Sequence, residues 1–161
     1  MNLRIKVDDL SDPHIAEFLG DHLKDMYATS PPESVHALDI EGLKKPEITF
    51  WTAWDGATLV GTGAIKRLDA EHAELKSMRT APSYRRSGVA ATMLLFIMNE
   101  ARRRGYKRMS LETGSMAYFE PARALYARHG FEYCGPFADY WDDPNSKFMT
   151  RSLIEDKRRA S

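Results

Sequence analysis

One cysteine, no long apolar run and no excess of either charge set the first limits on this chain of 161 residues. A lone Cys134 allows no internal disulfide and suits a reducing compartment. No apolar stretch reaches membrane-spanning length. The first ten residues alternate charged and apolar types and lack the apolar centre of a signal segment. Lys plus Arg equals Asp plus Glu at 23 each, so the broad positive footprint of a nucleic-acid binder is missing. No cluster of His and Cys has metal-ligand spacing. Neither the P-loop pattern nor the dinucleotide pattern Gly-x-Gly-x-x-Gly occurs. What is present is a 43% hydrophobic composition in a length that suits one domain, spanning 1–161. These readings predict a cytoplasmic protein without metal, nucleic acid or membrane as partners.

Hydrophobic period and turn residues divide the chain. Leu3 to Val7 alternates as a strand. Ser11 or Asp12 then caps a helix whose apolar face is Ile15, Phe18, Leu19, Leu23 and Met26. Ser30-Pro31-Pro32 ends it, and Glu33 to Leu43 reads as a second short helix. Ile48 to Trp54 and Leu59 to Lys66 are strands around the hairpin turn Asp55-Gly56. Gly61 and Gly63 weaken the second of them, which points to a bulge or to close approach by another group. A third strand begins near Ala73. Arg102, Arg103 and Arg104 followed by Gly105 close the central helix, because cations and a left-handed glycine suit a helix C-terminus. Lys107 to Thr113 follows a crossover helix and so pairs in parallel with the strand at 73–80. Pro121 opens a short helix, and Phe131 to Cys134 and Lys147 to Leu153 are closing strands. The sum is a mixed α/β domain. Its mostly antiparallel sheet has one parallel, splayed junction and about four flanking helices. The core covers about 3–153, with a charged tail over 154–161.

The chain is organised around Glu74 to Ala91. A strand ending at Met78, Arg79 and Thr80 passes through a polar loop into a helix that starts at Gly88. The first N–H groups of a helix lack internal partners and sit at the positive end of its dipole. Arg85 and Arg86 precede them. Ser87, Gly88, Val89, Ala90 and Ala91 are small enough for an anion such as a pyrophosphate to reach the backbone.

Arg85, Gly88 and Ala90, in the spacing Arg-x-x-Gly-x-Ala after a strand, resemble the acyl-CoA signature of the GNAT superfamily of N-acetyltransferases. The run Ala122, Leu125, Tyr126, Gly130, Phe131 resembles that superfamily's second signature. The tracts Leu-Glu-Thr-Gly at 111–114 and Asp-Asp-Pro-Asn-Ser at 142–146 suggest a bacterial subfamily acting on small molecules. The resemblance implies acetyl-CoA as co-substrate, a primary-amine acceptor and direct transfer without metal, and it admits a homodimer. It implies cofactor contacts from Met78, Arg79, Thr80 and residues 85–91. One position departs from the pattern. Phe119 stands where many members have an asparagine, so that residue's cofactor hydrogen bond is absent.

Acetyl transfer to an amine needs a group that takes the amine's proton and one that protonates the leaving thiolate. Glu74 is the candidate base, at a strand position where a carboxylate is costly to bury unless paired or functional. An ion pair with Lys76, two residues on, is its alternative role. Tyr126 is the candidate acid, with plain aromatic packing as the alternative. No activating base stands beside Cys134. The polar segment Ser30 to Asp39 reads as the acceptor wall, with Glu33 and His36 as contacts; a solvated loop is the other reading. Gly61 and Gly63 would floor that pocket, and Arg79 would offer its charge to an acceptor carboxylate, favouring an amino acid. Two other functions fit the same residues, an acyl-CoA sensor without catalysis and a protein or peptide acetyltransferase.

Overall fold

The computed structural model describes residues 2–35 and 39–154. His36, Leu38 and the tail from 155 lie outside the described residues. Strand β1 (Leu3–Val7) leads into α1 (Pro13–Thr29), a 3-10 turn at Pro32–Ser34 and the single turn of α2 (Ile40–Leu43). The meander β2 (Ile48–Asp55), β3 (Thr58–Arg67) and β4 (His72–Thr80) follows. Helix α3 (Val89–Arg103) crosses over to β5 (Arg108–Gly114). A 3-10 turn at Ala117–Phe119 runs into α4 (Glu120–Arg128), and β6 (Glu132–Cys134) and β7 (Ser146–Ser152) close the sheet.

Among the described residues the strands form one sheet in the order β1-β2-β3-β4-β5-β7-β6. Every neighbouring pair is antiparallel except β4 and β5, as a helical crossover requires. Successive strand residues point to opposite faces, and the two cores show it. Trp51, Ile65, Leu75, Leu111 and Met149 pack with Met93, Leu94 and Ile97 of α3 and with Leu125 and Tyr126 of α4. Phe50 and Ala64, one residue out of phase, pack with Ile15 and Leu19 of α1 and Leu43 of α2.

Local chemistry sets the helix ends. The Asp12 carboxylate accepts from the His14 N–H at 2.9 Å and caps α1. The single helix expected over 33–43 is instead a turn and a separate helix. Pro32 opens the turn, and Asp39 starts α2 afresh by accepting from the Gly42 N–H at 2.8 Å. Past α3, Gly105 takes the left-handed conformation at φ 91°. The three arginines there have local partners. Arg102 donates to the Leu153 carbonyl, Arg103 pairs with Glu100, and Arg104 lies over the Trp51 ring.

Gly63 serves the bulge and the close approach together. Thr62 pairs with Arg79 and Ala64 with Lys76, so Ser77 and Met78 both oppose Gly63. A Cβ on Gly63 would come within 2.5 Å of Ile97 Cδ1 and 2.9 Å of Met78 Sδ, and one on Gly61 within 2.9 Å of Val89 Cγ1. These glycines therefore let α3 settle onto β3. They do not floor an acceptor pocket, because the helix fills the space that substrate was expected to use.

Candidate active site

The site begins where two strands part. The parallel β4–β5 ladder runs from His72 with Arg108 to Leu75 with Leu111 and goes no further. Strand β4 continues beside β3 to Thr80, and β5 continues beside β7 to Gly114. The open edges enclose a cavity lined by Glu74, Lys76, Ser77 and Met78 on one side and Leu111, Glu112 and Thr113 on the other. Phe119, Ala122 and Tyr126 line it from α4 and the turn before it, and Met26 from α1. The bulge helps to open the gap. Ser77 takes a left-handed φ of 56°, and its carbonyl accepts from Thr62 Oγ1 at 2.8 Å. A bulge bends its strand and raises the local twist.

At the far end of β4 stands the start of α3. Arg86 and Gly88 both have positive φ, 64° and 88°. Thr92 N–H returns to the Gly88 carbonyl, whereas the N–H groups of Val89, Ala90 and Ala91 find no acceptor among the described residues. A Cβ built on Gly88 would meet nothing within 4 Å. The Ser87 hydroxyl donates back to the Tyr84 carbonyl. Arg85 and Arg86 are exposed beside these free donors. Free N–H groups, a positive helix end and two cations fit the pyrophosphate of an acyl-CoA. The edge of β4 at Met78, Arg79 and Thr80, unpaired on the β5 side, joins this helix start to the cavity.

Glu74 is 2% exposed. Its Oε2 accepts from Lys76 Nζ at 3.0 Å and from the Tyr140 hydroxyl at 2.5 Å. Lys76 Nζ also donates to the Tyr140 oxygen at 3.0 Å, which closes a triangle of three polar atoms. The ion pair that the Glu74–Lys76 spacing suggests is thus present, with a phenol added. Burial first, and the Glu74 charge second, push the Tyr140 phenol up.

Glu112 sits one residue past the last β4–β5 pair and accepts from Ser146 Oγ at 2.7 Å. Burial raises its carboxyl to about 7. The Ser146 hydrogen bond and the Lys76 charge oppose that rise, while Glu74 and Asp143 add to it. Tyr126 is 7% exposed, and burial pushes its phenol up, so it stays protonated. Its hydroxyl has no hydrogen-bond partner among the described residues. Its ring meets Phe131 edge-on at 5.8 Å, so it packs in the core and reaches the cavity together.

Other expected residues stand elsewhere. The Arg79 guanidinium is held by Asp25 of α1 at 2.9 Å, with the Tyr118 hydroxyl beside it at 3.4 Å. Its charge is spent on Asp25 and is not offered to an acceptor carboxylate. Glu33 is exposed on its 3-10 turn and does not line the cavity. Its neighbour Ser34 turns inward and donates to Asp143 Oδ2 at 2.6 Å, tying this segment to the loop before β7. Ser34 therefore anchors a contact between distant segments. Phe119 fills the space over Gly114, whose Cβ would fall 2.2 Å from the Phe119 ring. Cys134 is a β6 residue whose thiol is pushed up by burial. Among the described residues no helix is long and apolar enough to cross a membrane.

Sequence reasoning missed Glu112, Tyr140 and Ser146. Glu112 had a signal, because strand alternation puts it on the face of Ser110, and Ser110 is the register partner of Glu74. Tyr140 had none, since it comes from an irregular loop.

A splayed parallel junction beside a helix start with free N–H groups is the architecture of an acyl-CoA-dependent acyltransferase. Residues 15–131 match the model of the acetyltransferase (GNAT) family, and the chain belongs to that family. It is 57% identical over 151 residues to the N-acetyltransferase YsnE of Bacillus subtilis, covering 94% of this chain and 100% of that one. To the N-acetyltransferase YedL of Escherichia coli it is 50% identical, covering 94% and 95%. Among solved structures it resembles an acyl-CoA N-acyltransferase from Klebsiella pneumoniae, at TM-score 0.74 and 24% identity over 94% and 98% of the chains. It also resembles an aminoglycoside 6'-N-acetyltransferase complexed with coenzyme A, at TM-score 0.70 and 19% identity over 95% and 98%. At these identities the likeness to solved structures is one of fold. The family and the N-acetyltransferase relatives make the protein an acyl-CoA-dependent N-acetyltransferase.

Proposed function

We propose that the enzyme moves an acetyl group from acetyl-CoA to the primary amine of a small molecule by direct transfer. The observation that carries this reading is the gap where the β4–β5 ladder stops. It brings two carboxylates, Glu74 and Glu112, and the unpartnered Tyr126 hydroxyl to one cavity. Acetyl-CoA supplies the activated thioester. Arg85, Arg86 and the N–H groups from Gly88 to Ala91 hold its pyrophosphate. The backbone of Met78, Arg79 and Thr80 orients its linear arm along the β4 edge. A carboxylate of the Glu74–Glu112 pair takes the amine's proton, and Tyr126 gives one to the departing sulfur.

The acceptor enters from the α1 side, past the segment that carries Glu33 and Ser34. With Arg79 neutralised by Asp25, the charges left near the cavity are Glu74, Glu112 and Asp143 against Lys76. That balance favours an acceptor that carries an ammonium group. The partly closed cavity favours a small molecule over an extended peptide, with amino acids among the amines to test. The single cysteine fits a cytoplasmic enzyme.

A panel of amines, amino acids and peptides, scored by amine-dependent release of free CoA thiol, tests the reading. Release with a small amine is the expected result. Tyr126→Phe should then lower kcat by ~10²–10⁴-fold, the usual range for loss of a general acid. Release with peptides alone, or acetyl-CoA binding with no release under any amine, would refute it.

A further inference from the structure

Resting on that reading, we infer that Glu112 on β5 is the carboxylate that takes the proton from the attacking amine, and that Glu74 is a positioning residue that sets the charge around it. Three geometric facts support this division. First, both hydrogen bonds to the Glu74 carboxylate fall on the same oxygen, from Lys76 at 3.0 Å and Tyr140 at 2.5 Å. Protonating that carboxylate at either oxygen would leave the Lys76 cation without its counter-charge, in a site where Glu74 is 2% exposed. Breaking a buried ion pair is strongly unfavourable. Second, Glu112 has a single hydrogen bond, from Ser146 to Oε2. Its Oε1 has no partner among the described residues, and the carboxylate lines the cavity. Third, Tyr126 lines the same cavity from the α4 side of the sheet, while Glu112 projects on the face of Glu74 and Lys76. The gap in the ladder connects the two faces. Acid and base therefore stand on opposite sides of the place where a thioester carbon fits, as amine and leaving sulfur do.

The acceptor's ammonium first releases one proton to water, and the step then balances for the neutral amine. As the nitrogen–carbon bond forms, one N–H proton passes to Glu112 Oε1. The carbon–sulfur bond breaks, the sulfur keeps its electron pair, and the Tyr126 proton goes to it. Water returns the Glu112 proton to the Tyr126 oxygen, which resets both groups. Among the described residues the charged and titratable groups facing Glu112 are Lys76 and Glu74 from β4 and Tyr140 and Asp143 from the loop before β7, with the Ser146 hydroxyl of β7 as its hydrogen-bond donor. Burial leaves its carboxyl at about 7, where it exchanges a proton near neutrality. The Glu74 charge raises that value and the Lys76 charge lowers it.

The test is the pH profile of kcat/KM for wild type, Glu112→Gln, Glu74→Gln and Lys76→Met, with a carboxyl-stretch infrared titration of each protein without substrates. Wild type should show an acidic limb near pH 7 and an infrared midpoint at the same value. Glu112→Gln should lose both and fall ~10²–10⁴-fold in rate with unchanged acetyl-CoA Kd. Glu74→Gln removes a negative neighbour, so it should keep the limb and midpoint and move both to lower pH. Lys76→Met removes a cation and should move them to higher pH. A purely packing role for Glu74 and Lys76 would not shift a midpoint in opposite directions. A limb lost in Glu74→Gln and retained in Glu112→Gln would overturn the assignment. So would an infrared midpoint that survives Glu112→Gln. If wild type acetylates no amine, the proposed function fails separately, and the infrared midpoints still decide whether Glu112 titrates under the control of Glu74 and Lys76.

Discussion

Glu112→Gln should make the protein more stable above neutrality and leave it unchanged in mild acid. The ordinary glutamate value is 4.5, and the folded protein holds Glu112 at about 7. Folding therefore raises this group's proton affinity, and the native state binds more protons than the unfolded chain between those two values. Stability must then fall as pH rises through that window, and must level off above it. At about 1.36 kcal/mol per pH unit, the loss approaches ~3 kcal/mol. Glutamine has the shape of the protonated acid and cannot ionise, so it avoids this penalty. Wild type and variant should coincide near pH 4. At pH 8 the variant should lead by up to ~3 kcal/mol, equivalent to roughly 6–12 °C in Tm for a domain of this size. Urea unfolding at both pH values measures the difference directly. A variant equal to wild type at pH 8, or weaker by the same amount at both, would refute the reasoning. Its cause would then be lost packing or a lost Ser146 contact. A stabilised but slow variant would show the trade between stability and activity expected where a carboxylate is held in an unfavourable place for its chemistry.

Two further substitutions probe the frame of the site. Gly88→Leu should weaken acetyl-CoA binding in calorimetry, because its side chain would enter the open space before α3 that the free N–H groups face. Unchanged affinity in a folded variant would place the anion site elsewhere. Gly63→Ala should destabilise by ~1–3 kcal/mol through overpacking against Ile97 and Met78. An equally stable variant with impaired acceptor KM alone would return Gly63 to the acceptor side.

Much of this protein was legible one segment at a time. The crossover helix between two strands dictates the parallel pair, and that pair is the only non-antiparallel one among the described strands. Gly88 with its small neighbours marked the helix start, and it is the left-handed residue there. The two-residue spacing of Glu74 and Lys76 put them on one face, and they do pair. Each of these features follows from local rules, because the groups involved are neighbours along a strand or helix. The misreadings have the opposite character. Arg79 reads as a free cation until Asp25, 54 residues away, is seen beside it. Gly61 and Gly63 read as room for substrate until α3 is laid across them. Ser34, within the segment 30–39 read as the acceptor wall, looks like a loop residue until it is seen to meet Asp143, 109 positions on.

The sequence by itself determined the class of fold and the start of α3 at Gly88, since periodicity, turn residues and helix-end chemistry act over a few residues. Only the tertiary structure decided which proton-handling groups meet. Tyr140 reaches Glu74 across 66 residues, and Ser146 reaches Glu112 across 34. Where the β4–β5 ladder ends depends on inter-strand register, which no single strand encodes. The charge state of Glu112 depends on burial among groups contributed by β4, β7 and the loop before β7. Desolvation is a property of the assembled surroundings, so a carboxylate that looks ordinary in the chain becomes a group that titrates near neutrality.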